Sequence, residues 1–240
     1  MTRLLMVAEM TLRELLRRRA VIALLLLLPL SFYLIRRDHY LGQSVRSLFL
    51  GIGWAVSTAA LFSAIGARSV EPRLRMAGYR PHELYLGRLG GLWTLGLALT
   101  APFWLLVLVD VPDVRHGAVA VAMLCVVVVA APFGMLIAAL LPRELEGTLL
   151  LLTAVALQMI IDPASTVAKL TPFWSSREIG TYAVDHTTGD YLQRGLAHGV
   201  TTTVVLLLLV AAISTVRLRQ RVSRPEWAAS DRTGATSPPA

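Results

Sequence analysis

Side chains that could carry out chemistry are few and scattered in this 240-residue chain. Asp185, His186 and Asp190 are of types that bind metal ions, but their spacing matches no recurring set of ligands. No histidine, carboxylate or basic residue lies deep in an apolar run, where proton relays and ion-coupled carriers require such groups. The sequence therefore predicts no metal site, no cofactor and no catalytic cluster.

Nucleotide chemistry is disfavoured as well. A phosphate-binding loop requires the pattern G-x-x-x-x-G-K-[ST], and the only lysine, Lys169, cannot supply it. An intramembrane protease would need a buried nucleophile with a base, or paired aspartates, and the apolar runs contain neither. We expect a protein that is not an enzyme and that does not bind ATP through a loop of its own.

The charge of the chain points to lipid rather than to nucleic acid. The formal net charge is +8, which in a soluble protein would suggest a nucleic-acid partner. Here the arginines lie between apolar runs, where anionic headgroups and membrane topology account for them. We therefore expect a lipid membrane and no nucleic acid among the partners.

Apolar runs dominate the chain and predict an all-α integral membrane protein. Only 16% of the residues are charged, against about 25% in soluble domains. Because a helix needs about 20 apolar residues to cross a bilayer, we predict six spans, with a re-entrant or tilted path as the alternative for the short fifth one. They cover residues 20–35, 48–65, 89–109, 117–141, 147–161 and 196–216.

The distribution of basic residues predicts the orientation of these spans. With the N-terminus in the cytoplasm, the inside segments 1–19, 66–88, 142–146 and 217–240 hold 16 of the 23 arginine and lysine residues. This favours a multi-pass protein of the plasma membrane with both termini in the cytoplasm. Arg36, Arg37 and Arg46 are discordant, because they fall on the outer side.

Both ends of the chain are predicted to lie outside the spans. Residues 1–19 form an amphipathic pattern in which Glu9 and Arg13, and Glu14 and Arg18, make i, i+4 pairs opposite an apolar face. We predict an interfacial cytoplasmic helix bent at the arginines, and the alternative is a plain extension of the first span. Residues 217–240 read as a basic and then disordered cytoplasmic tail.

The polar stretch 66–91, "GARSVEPRLRMAGYRPHELYLGRLGG", predicts helix, turn and helix between spans two and three. Ser69 could cap a short helix, Pro72 suits its first turn, and Gly78 is placed to end it. Arg80 and Pro81 then begin a second helix that runs into the third span. The alternative is an ordinary basic loop.

Three further features complete the pattern. Glu144 and Glu146 stand at the start of the fifth span, where helix capping would explain them. The outer segment 162–195 is rich in aromatic residues and suggests a partly re-entrant cap. The glycine pairs with G-x-x-x-G spacing serve either oligomer contacts or turns, and they are Gly87/Gly91 and Gly195/Gly199.

With these features residues 4–220 resemble the type-2 ABC exporter permeases, the membrane subunits of ATP-driven exporters. The stretch "RPHELYLGRLGG" is similar to the point where such permeases leave their coupling helix, and Glu83, Leu84, Gly87 and Arg88 match that pattern. The acidic run that often precedes it in the family is reduced to Glu71, whereas an "ELEGTL" run follows later, from residue 144.

The resemblance implies a mechanism and partners. A separate ATP-binding cassette subunit would dock on the short cytoplasmic coupling helix, and two permease subunits, as a homodimer or heterodimer, would form the substrate pathway. The implied coupling residues are Glu71, Pro72, Arg73, Leu74, Arg75, Met76, Gly78, Tyr79 and Glu83, with a secondary contact at Arg143, Glu144 and Glu146. The alternatives are a membrane scaffold or regulatory subunit that holds a cytoplasmic partner without transport, and a lipid-acting enzyme.

Overall fold

The computed structural model describes residues 3–37, 41–141, 143–162 and 165–222, with side chains except at 41 and 215–222. Every regular element in these ranges is helical, and two of them are single 3-10 turns, at Ala67–Ser69 and Ala168–Leu170. The α-helices are α1 (Arg3–Arg17), α2 (Arg19–Arg37), α3 (Leu41–Gly66), α4 (Glu71–Met76), α5 (Pro81–Asp110), α6 (His116–Leu140), α7 (Glu144–Ile160), α8 (Trp174–Val184) and α9 (Gly189–Val222).

Among the described residues, five helices are long and apolar enough to cross a membrane. They overlap the first, second, third, fourth and sixth predicted spans, and they are Arg19–Arg37, Gly42–Ser69, Pro81–Asp110, His116–Leu140 and Gly189–Ser214. The fifth predicted span, 147–161, falls in α7, whose 17 residues are fewer than the roughly 20 of a typical crossing. A membrane protein is thus indicated, and the sixth crossing stays a prediction.

The outer surface of the bundle carries large exposed apolar side chains. Leu24 on α2 is 63% exposed and Leu208 on α9 is 65% exposed, and both lie within long apolar helices. A protein surrounded by water rarely exposes large contiguous apolar areas. These helix faces therefore agree with a lipid environment.

Helices α3 and α6 form the centre of the bundle, and α2, α5, α7, α8 and α9 pack around them. The two central helices approach closely because Gly134 faces the backbone of Ser57, leaving no room for a Cβ atom. The Ser57 hydroxyl donates a hydrogen bond to the Ala130 carbonyl at 3.0 Å, so this buried polar group is satisfied.

The two ends of the bundle differ in what they contain. We call the end at which α3 finishes and α5 begins the α4 end, and the opposite one the far end. Helix α7 runs between them: Gly147 packs against Leu61 near the α4 end, and Gln158 accepts a hydrogen bond from the Phe173 backbone N–H at 3.2 Å near the far end.

The far end is closed by α8 and by polar contacts between helices. The segment predicted as a re-entrant cap contains α8, which buries one face against α3, α6 and α9. The buried hydroxyl of Tyr33 donates to Asp110 at 2.5 Å, and the Arg37 guanidinium also binds that carboxylate. Arg46 pairs with Asp185 in the same region.

Helix α9 continues through Val222, so the first residues of the predicted tail are helical, and 223–240 lie outside the described residues.

Candidate functional site

Helix α4, the predicted coupling helix, forms where the sequence places it but begins differently. Pro72 lies in its first turn, where a missing N–H group costs nothing. The predicted cap by Ser69 is wrong, because this residue belongs to the preceding 3-10 turn and its hydroxyl donates to the Gly66 carbonyl at 3.1 Å. Val70 occupies the N-cap position without a side-chain hydrogen bond.

The end of α4 confirms the prediction made from Gly78. This residue has a φ of +86°, in the left-handed region that favours glycine. The Ala77 N–H donates to the Arg73 carbonyl at 3.0 Å, and the Tyr79 N–H donates to the Leu74 carbonyl at 3.1 Å. This closing pattern satisfies the last carbonyl groups of the helix and turns the chain toward α5.

Helix α4 presents most of its surface to solvent and has no buried residue. Met76 is 83% exposed, and Arg73 and Arg75 beside it are exposed as well. Leu74 is half-buried and lines a groove next to α1. On this helix Met76 rather than Leu74 is therefore the accessible long apolar side chain, and it lies next to the exposed Arg75.

Glu71 ties α4 to the adjoining helix α5. Arg88 Nη2 donates to Glu71 Oε1 at 2.9 Å, and the Arg88 side chain is 9% exposed against 32% for Glu71. An arginine removed from water in this way requires an anionic partner. Glu71 thus has a structural partner, and sequence reasoning, which named Arg88 only for its family pattern, missed the pair.

Tyr79 and Glu83 connect the turn after α4 with the start of α1. The Arg80 backbone N–H donates to Glu83 Oε2 at 2.8 Å, which caps the first turn of α5. Arg3 Nη1 donates to the Gly78 carbonyl at 2.5 Å and lies 3.9 Å from Glu83 Oε2. The Tyr79 hydroxyl lies 3.0 Å from Met6 Sδ. Both predicted coupling residues therefore position α1 against the turn.

The N-terminal helix α1 lies against α5 through the glycine pair Gly87/Gly91. A Cβ atom at Gly87 would lie 2.8 Å from the Leu4 carbonyl oxygen, and one at Gly91 would lie 2.7 Å from that of Ala8. Only glycine allows the two backbones to approach this closely. The pair with G-x-x-x-G spacing thus packs within the chain, where sequence reasoning had allowed an oligomer contact.

The secondary contact residues are at the same end of the bundle. Arg143 Nη1 donates to Glu146 Oε1 at 3.1 Å, and Glu144 lies in the first turn of α7. Arg68, just before α4, donates to the Ala138 carbonyl and, at 3.1 Å, to that of Leu141 at the end of α6. Arg68 thus links the α4 segment to the loop that carries the secondary residues.

Comparison with known proteins adds no family to this geometry. No family model matches the chain, and no curated protein matches it either. Among the described residues, no three histidine, cysteine or acidic side chains are grouped so that they could hold a metal ion. Asp185 and His186, the metal-capable types at the far end, contact Arg46 and Asp113 respectively.

Proposed function

We propose that this chain is the membrane-spanning subunit of an ATP-driven exporter and that a separate ATP-binding subunit docks on α4. The exposed face of α4 carries the proposal. A six-residue helix with no buried residue gains little from packing, yet the chain holds it in place with a proline, a glycine stop and an ion pair. Such a device fits a helix that has to present Met76 and its flanking arginines to a partner.

The contacts of α4 would transmit a movement of the partner subunit to the helical bundle. Glu71 connects α4 to α5 through Arg88, and Arg68 connects the preceding turn to the end of α6. A displacement of α4 would therefore act on two long helices at once. In an exporter, that movement would accompany the change between inward-open and outward-open states, with ATP hydrolysis in the partner because this chain has no phosphate-binding loop.

The wider arrangement follows from this proposal. The α4 end would face the cytoplasm together with both termini, in the plasma membrane, and two such chains would form the substrate pathway as a homodimer or heterodimer. A scaffold subunit without transport would use the same surface, but it would bind its partner with no nucleotide-dependent change in the long helices.

Co-purification tests the docking surface directly. We expect the detergent-solubilised protein to retain a P-loop ATPase. Met76→Asp should weaken that association about 30-fold or more, because an interface anchor contributes about 2 kcal/mol or more. Leu170→Asp is the matched control, since Leu170 at the far end is also 83% exposed and should tolerate the same change. Undiminished association of Met76→Asp, or equal loss in Leu170→Asp, would contradict α4 docking.

A further inference from the structure

A groove of about 510 Å³ opens between α1, the end of α3, α4 and the start of α5. Its volume lies within the roughly 300–1,000 Å³ of small-molecule sites. One part of the lining is apolar and another is strongly basic. The apolar lining includes Val7, Met10, Val70, Leu74 and Leu84, and the charged lining is Arg13, Glu14, Arg17, Arg18 and Arg88.

The charge of the lining favours an anion. Arg13 pairs with Glu9 at 2.5 Å and Arg18 pairs with Glu14 at 3.4 Å, but both arginine side chains are more than half exposed. Ion pairs this exposed are weak and exchange readily with other partners. Arg17 is exposed and, among the described residues, has no carboxylate at ion-pair distance. The rim therefore keeps positive charge available.

The most buried cation of the groove is Arg88. Its side chain is 9% exposed and donates one described hydrogen bond, to Glu71 Oε1. A guanidinium group carries several N–H donors in one plane and binds phosphate in a forked geometry. A second anion in the groove could therefore accept further hydrogen bonds from the Arg88 guanidinium, which is largely shielded from water.

The groove also has an accessible apolar side chain on α1. Met10 lines the groove and remains 46% exposed, and elsewhere on the same helix Leu5 and Leu16 are 58% and 48% exposed. Exposed apolar side chains beside arginines are typical of helices that lie at the boundary between headgroups and acyl chains. An occupant of this groove thus meets cations and an apolar wall together.

We propose that this groove binds an anionic membrane phospholipid, with its phosphate among the arginines and the start of an acyl chain along the accessible lining residues Met10 and Val70. Basic pockets between helices at a membrane surface suit phosphate headgroups. The cavity is too small for a whole lipid, so the rest of the acyl chain would extend out of the groove along α1. Because α1 and α4 both line the groove, the lipid would also join α4 to its neighbours, which goes beyond the docking of an ATPase.

Native mass spectrometry of the purified full chain tests the site without any partner subunit, so its outcome is independent of the proposed transport function. We expect phosphatidylglycerol to be retained and phosphatidylcholine with the same acyl chains to be lost. Arg13→Gln with Arg17→Gln should weaken phosphatidylglycerol binding about 25-fold, since each basic residue near a membrane surface contributes about fivefold. The control Arg143→Gln removes a similarly exposed arginine, 80% against 74%, that does not line the groove.

Two further measurements distinguish the sources of a phosphate. Met10→Gln should weaken phosphatidylglycerol binding, and free glycerol 3-phosphate should fail to displace the lipid. Retention of phosphatidylcholine to the same extent would overturn the anionic site, and so would an equal loss in Arg143→Gln. If glycerol 3-phosphate displaced phosphatidylglycerol, or if Met10→Gln bound phosphatidylglycerol with full affinity, the proposed contact with the acyl chain would be wrong.

Discussion

At the residue scale, the pair Glu71–Arg88 makes a prediction about stability. Glu71→Ala removes the described partner of a side chain that is 9% exposed, and leaving a largely buried charged group unsatisfied costs about 1–3 kcal/mol. For a chain of this size we expect the apparent Tm in detergent to fall by several degrees, since about 1 kcal/mol corresponds to about 2–4 °C. Thermal unfolding followed by circular dichroism measures the change.

The control for this experiment is a second glutamate–arginine pair in the same region. Arg13 Nη2 lies 2.5 Å from Glu9 Oε1, but the side chains of Glu9 and Arg13 are 40% and 74% exposed. Because an exposed pair within a helix contributes only about 0.3–0.5 kcal/mol, Glu9→Ala should leave the Tm almost unchanged. Equal Tm values for Glu71→Ala and Glu9→Ala would mean that Arg88 does not depend on Glu71.

At the scale of elements, adjacent glycines on α5 provide a matched pair of variants for the α1–α5 contact. A Cβ atom at Gly91 would lie 2.7 Å from the Ala8 carbonyl oxygen, whereas one at Gly90 would meet nothing within 4 Å. Gly91→Ala should therefore lower the Tm by several degrees, as overpacking costs about 1–3 kcal/mol. Gly90→Ala should raise it slightly, because alanine favours a helix by about 0.5–1 kcal/mol. A Tm that moves in the same direction in both variants would argue against close packing of α1.

Comparison of α4 with its contacts explains how far sequence alone could go. Gly78 and Pro81 act on their own backbone, so the end of α4 and the start of α5 could be predicted locally. The pairing of Glu71 with Arg88, 17 positions away, could not, because it depends on how α4 is set against α5. The spacing of Gly87 and Gly91 allowed either an oligomer contact or a turn, and it could not identify α1 as their partner, since helix spacing does not identify the opposing helix.

For the whole molecule, the polar contacts at the far end bear on the predicted topology. Three arginines on the predicted outer side, Arg36, Arg37 and Arg46, counted against the orientation. Two of them have carboxylate partners in the structure: Arg37 binds Asp110 and Arg46 binds Asp185. These pairs satisfy the charges of two of the arginines within the bundle, but the positive-inside rule counts basic residues and depends little on carboxylates. The three arginines therefore still count against the predicted orientation, which requires a direct test.

The number of crossings depends on α7, whose 17 residues extend about 25 Å at 1.5 Å per residue, less than the roughly 30 Å of a hydrocarbon core. Helix α7 nevertheless runs from the α4 end to the far end, so we predict that it crosses with local thinning of the bilayer.

Cysteine labelling tests this crossing. In a Cys125→Ser background, Thr188→Cys before α9 should react with an impermeant maleimide in intact cells. Ala77→Cys after α4 should react only after permeabilisation, and both positions are exposed. If Thr188→Cys also required permeabilisation, α7 would not cross, and the C-terminus would lie outside.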